Sequence, residues 1–137
     1  MSVKLASVRA AAEHRPMPID IHMIRSLIMG YFYYGNNSYA VQIDDRALAH
    51  LKIAILSLLR AGKSMAFCFD RSADLGSGRE ALWISPSTEI RFVFLGSRPP
   101  RINHEWLRDI VETANTATGL RLVREPQEST LLARVAG

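Results

Sequence analysis

The stretch DDRALAHLKIAILSLLRAG, residues 44–62, decides how the rest of the chain is read. At 100° per residue, Ala47, Leu48, Leu51, Ala54, Ile55, Leu58 and Leu59 fall on one wide face, with Leu56 and Ala49 at its margin. That is the pattern of an α-helix burying one side. Arg46, His50, Ser57 and Arg60 fall opposite, so His50 is expected on the outer half. Lys52 lies near the apolar arc, where its stem can snorkel to water, and Ile53 is the one apolar residue among the polar ones. The ends are punctuated. Asp44 or Asp45 supplies a side-chain acceptor and negative charge at the start, Arg60 sits in the last turn, and Gly62 suits the left-handed position past the end.

Upstream, GYFYYG (30–35) has the aromatic content of a strand, residues 35–38 (GNNS) have turn chemistry, and YAVQI (39–43) alternates into the helix, predicting a hairpin that feeds it. Downstream, residues 64–70 set Met65, Phe67 and Phe69 against Ala66 and Cys68. Both faces are apolar or small, as in a central strand covered on two sides. RSADLGSGR (71–79) is a polar loop. A strand at 80–84, a turn at 85–87 and an alternating strand at 89–95 predict a second hairpin.

Two consecutive prolines make GSRPPRI (96–102) an extended loop. A second helix follows, with Asn103 as N-cap, Glu105 near its positive end, and Trp106, Leu107, Ile110, Val111, Ala114 and Ala117 on one face. Arg108 and Glu112 pair on the other, Gly119 ends it, and LRLVRE (120–125) reads as a last short strand. Residues 1–28 lack a clean period; SVRAAAEHR (7–15) suits a short helix ended by Pro16 and Pro18. The organisation is an extension at 1–28, a single domain at 29–126 and a tail at 127–137. The order β-β-α-β-β-β-α-β predicts an α+β fold, an antiparallel sheet of five or six strands with both helices packed on one face.

With 137 residues, 48% hydrophobic and 22% charged, the composition is that of one globular domain. The single Cys68 excludes an internal disulfide, and its apolar run MAFCF predicts a buried thiol in a reducing, cytoplasmic setting. No apolar run approaches the roughly 18 residues of a membrane span, and the N-terminus lacks the apolar core of a secretory signal. The net charge is +4, with 14 Arg against 3 Lys. Arginine's planar fork suits phosphate, which permits a nucleic-acid partner; scattered arginines equally fit GC-rich coding without a binding role.

Few residues carry recognisable chemistry. DLGSGR (74–79) offers amides and Arg79 as an anion cradle, but it lacks GK[ST] and also reads as a plain hairpin loop. RPPR (98–101) places Arg98 and Arg101 before a helix N-terminus. With Arg71, Arg91 and Arg108 these form the most basic surface on offer. The candidate anion- and nucleic-acid-binding residues are therefore Arg79, Arg98, Arg101 and Arg108, against the alternative of solvated side chains paired with local carboxylates. His14, His22, His50 and His104 have no ligand spacing, so neither metal nor cofactor is expected. No GxSxG occurs, and no catalytic residue is assigned; His104 with Glu105 is the one acid–base pair, at a surface helix start. The aromatic GYFYYG strand, the second face of MAFCF and Ile53 suggest a protein-interaction or homo-oligomer surface.

The segments IDDRALAHLKIAILSLLRAGKSMAF, GSGREALWISP, LGSRPPRIN and WLRDIVETANTATGLRLVREP together resemble a small actinobacterial domain family whose members often carry the label "ATP-dependent DNA ligase". The resemblance runs from about residue 29 to 126. A nucleotidyl-transferring ligase needs a lysine that takes AMP covalently, set in KxDG, with carboxylates beyond it for the metal. Lys4, Lys52 and Lys63 are followed by Leu-Ala-Ser, Ile-Ala-Ile and Ser-Met-Ala, and the chain is far shorter than a ligase core. The resemblance therefore implies a non-catalytic module associated with ligase-type proteins. Its first expected role is accessory nucleic-acid binding and its second is protein interaction or homo-oligomerisation.

Overall fold

A computed structural model describes residues 28–36, 39–71 and 76–127. Helix α1 (Asp45–Arg60) is built as its period requires, with Leu48, Leu51, Ala54 and Ile55 fully buried. Asp44 is the residue that caps it, its Oδ1 accepting from the Arg46 amide at 2.9 Å. At the other end Lys63 N–H donates to Leu58 O and Gly62 N–H to Leu59 O, a Schellman closure, with Gly62 at φ 74°. Among the described residues no helix is long and apolar enough to cross a membrane. One side chain departs from the expected face: His50 is wholly buried.

Among the described residues the strands are β1 (Met29–Tyr34), β2 (Tyr39–Asp44), β3 (Met65–Asp70), β4 (Arg79–Ile84) and β5 (Ile90–Val93), with α2 at His104–Thr113. The fold is α+β, but the strands form two antiparallel sheets, β2-β1-β5 and β3-β4, where a single sheet of five or six was expected. The expected second hairpin is the reason for the difference. β4 pairs back on β3 in full register from Met65–Ile84 to Asp70–Arg79, while β5 pairs with β1. Alternation tells which side chains share a face, but not which edge a strand joins.

The chain divides into two compact units. Among the described residues the first is 28–48 with 89–99 and the second is 49–88 with 100–127. In the first, Phe32 is fully buried and meets Phe92 at 5.3 Å between ring centroids. β5 ends at Val93, short of the expected Leu95, because the Leu95 and Gly96 amides turn to the Asp45 carboxylate at 3.1 and 2.8 Å. Gly30 admits this approach: a Cβ there would meet Asp45 Oδ1 and Leu48 Cδ2, each at 2.8 Å.

In the second unit Met65, Phe67, Leu82 and Ile84 form the buried face of β3-β4. The helix α2 starts at its expected cap, Asn103 Oδ1 accepting from Trp106 N–H at 3.1 Å, and ends at Thr113, before Ala114 and Ala117. The expected last strand is reduced to one parallel bridge, Leu120 against Phe67. The following backbone is taken by α2 instead. Thr113 Oγ1 accepts from Arg121 N–H at 2.9 Å, and Trp106 Nε1–H donates to Val123 O at 2.8 Å. Asn103 Nδ2 donates to Glu125 Oε2 and Pro126 O, each at 3.0 Å. A backbone whose amides and carbonyls meet side-chain partners cannot also form a ladder.

Candidate functional site

The outer face of β3-β4 carries Ala66, Cys68 and Asp70 beside Trp83, Ala81 and Arg79, paired across the two strands in that order. Small side chains at 66 and 81 leave room on this face. Leu120 then brings its neighbours onto it, through Leu120 N–H to Ala66 O at 2.8 Å and Cys68 N–H to Leu120 O at 2.9 Å. Close contact needs Gly119, buried at φ 83°, where a Cβ would lie 2.6 Å from Ala66 O. The result is an open concavity of about 620 Å³, lined by Cys68, Gly78, Arg79, Glu80, Thr118 and Arg121 among others. Cys68, expected to be buried, is partly exposed there, because only the inner face of β3 is sealed.

The concavity carries more guanidinium than carboxylate groups, with Asp70 the cross-strand neighbour of Arg79. Glu80 is matched by Arg71, whose Nε–H donates to Oε1 at 3.1 Å. The Arg79 and Arg121 guanidinium groups make no ion pair or hydrogen bond with the described residues. Two guanidinium forks around one hollow, with the Thr118 hydroxyl nearby, suit a phosphate or another multi-oxygen anion. Thr118 Oγ1 lies 3.0 Å from Thr116 Oγ1. Among the described residues no group of three His, Cys, Asp or Glu is placed to hold a metal ion.

The remaining predicted residues are distributed over both units. Arg101 and the α2 residue Arg108 are exposed in the second unit, whereas Arg98 is exposed in the first. The α2 N-terminus is occupied by its own cap, and His104 is exposed at its start. Arg71 serves Glu80 rather than a ligand. Arg121 was not singled out by the sequence, although alternation from Leu120 already set it on the side opposite that buried residue.

The GYFYYG segment is divided between the two faces of its sheet. Phe32 is buried, while Tyr31 and Tyr33 share the opposite face, partly exposed, with ring centroids 6.1 Å apart and planes tilted 37°. Arg91, exposed on β5, places its guanidinium 5.2 Å over the Tyr33 ring.

The model of a protein family described as a domain of unknown function (DUF7882) matches residues 29–125. No curated protein and no solved structure matches the chain.

Proposed function

We propose that this chain, which belongs to the DUF7882 family of domains of unknown function, is a non-catalytic module that binds nucleic acid through its phosphates. The observation that carries the reading is the pair Arg79 and Arg121 at one concavity, neither in an ion pair with a described residue although Asp70 lies across the strands from Arg79, with Glu80 held by Arg71. The +4 net charge and the exposed Arg98, Arg101 and Arg108 support the same sign of partner. None of the three lysines stands in the KxDG setting that AMP transfer requires. An accessory role beside ligase-type proteins agrees with the sequence resemblance.

Fluorescence anisotropy with labelled single-stranded and duplex DNA, titrated across salt, tests the reading. Affinity falls steeply with salt, with a log–log slope of about −0.7 (single strand) or −0.9 (duplex) per phosphate neutralised. Replacing Arg79 and Arg121 together by Ala reduces that slope by about one per arginine. Absence of binding to either DNA at low salt ends the reading.

A second reading, homo-oligomerisation, is favoured by Trp83, 60% exposed on β4 of a two-stranded sheet. Light scattering separates the two: a monomer at high protein concentration removes it, and Trp83→Ser dissociates any oligomer built on this face.

A further inference from the structure

The first unit offers a surface that the phosphate contacts do not use. On β1, Tyr31 lies across from Gln42 of β2 and Val93 of β5, and Tyr33 across from Ala40 and Arg91. Cross-strand neighbours share a face, so two phenol rings, one guanidinium and one carboxamide stand together, away from the buried Phe32. The Arg91 guanidinium covers the Tyr33 ring, and the two tyrosine rings are adjacent.

From this arrangement we infer that the Tyr31–Tyr33–Arg91 face is a stacking platform for unpaired bases, so that the nucleic acid bound is single-stranded. The inference rests on the nucleic-acid reading above and specifies its ligand. Bases inside a duplex are stacked on one another and show only their edges, whereas unpaired bases present π-faces to aromatic rings and guanidinium planes. Arg91 contributes twice, as a plane that extends the Tyr33 ring and as a charge beside the phosphates. Gln42 brings both a donor and an acceptor to a base edge. Two carboxylates fall on this side: Asp44, across from Met29 and engaged by the Arg46 amide, and Glu89, exposed two residues before Arg91. Arg91 is the cation of the face, and it stands over the Tyr33 ring without an ion pair to a described residue. The apolar content of the face, chiefly the half-buried Met29 and Val93, is small for a protein partner.

The experiment titrates the full chain at low salt with a fluorescein-labelled oligo-dT and with a duplex hairpin of equal phosphate number. The single strand binds more tightly. Tyr31→Ala with Tyr33→Ala weakens it about tenfold or more and leaves the duplex affinity and both salt slopes unchanged, because the rings carry no charge. Tyr33→Phe, which keeps the ring, binds as the parent does. Ultraviolet cross-linking of the unmodified chain to a 5-iodouridine oligonucleotide is independent of any folding defect and yields adducts on Tyr31 or Tyr33. Equal affinity for strand and duplex, or adducts confined to other segments, overturns the platform while phosphate binding stands. No binding to either probe overturns both.

Discussion

The backbone amide of Asn103 donates a hydrogen bond to His50 Nε2 at 2.9 Å, across 53 residues of sequence. An accepting Nε2 places the proton of the neutral ring on Nδ1. The imidazole also meets the Trp106 ring at 4.4 Å between centroids. Asn103, itself buried, caps α2 with its Oδ1 and reaches Glu125 and Pro126 with its Nδ2. One histidine therefore positions the residue that starts α2 and holds the chain after it.

Replacing His50 by Phe keeps a ring against Trp106 but leaves the Asn103 amide without its acceptor in a buried place. The unfolding free energy is expected to fall by about 1–3 kcal/mol. Urea denaturation measures it; a loss below about 0.5 kcal/mol would show that the amide finds another partner.

The Asp45 carboxylate holds two loop amides, Leu95 and Gly96, in a partly open setting. Asp45→Ala is expected to cost about 1 kcal/mol and no more, since water can replace the acceptor. Hydrogen exchange localises the effect: these two amides lose protection, while that of Phe32 at the sheet centre does not change.

Gly62 and Gly119 share a left-handed backbone, φ 74° and 83°, but differ in surroundings. A Cβ at 62 meets nothing within 4 Å, whereas one at 119 meets Ala66 O at 2.6 Å. Gly62→Ala should cost about 1 kcal/mol, the backbone penalty alone. Gly119→Ala should cost more, by about 1–3 kcal/mol, and under the proposed function should weaken DNA binding although both arginines remain. Equal melting temperatures for the two variants would contradict this.

Trp106→Phe retains the buried ring and deletes the donor to Val123 O. A net loss of about 1 kcal/mol is expected. The signature is faster amide exchange in residues 121–125 with little change in β3. Uniform acceleration across the second unit would instead mean that the substitution disturbs packing.

The distribution of what could be read follows the range of the forces. Helix α1 was legible because its apolar period, the Asp44 cap and the Gly62 closure are written within one segment, and the Asn103 cap of α2 is equally local. So were strands β1 to β4, with Tyr31 and Tyr33 alternating with Phe32, whereas β5 is shorter than expected and the strand expected at 120–125 is a single bridge. Of the two arginines that line the concavity, Arg79 was singled out from its loop, whereas Arg121 reaches it only through the Leu120 bridge and the bare Cα of Gly119.

Local pattern alone could not choose edge partners. β5 joins β1 rather than β4, and residues 121–125 follow α2 rather than a sheet, because competing long-range hydrogen bonds decide between alternatives that share the same alternation. His50 shows the same limit on a helix. The period describes one buried face, but α2 covers α1 from a second direction through Trp106 and Asn103, and a residue on the polar side then becomes interior. The sequence by itself determined both helices with their caps and strands β1 to β5 to within a few residues, since these depend on residues a turn or a pleat apart. Sheet membership, the burial of His50 and the meeting of Arg79 with Arg121 were decided only in three dimensions, where contacts distant in the chain compete for the same backbone groups and surfaces.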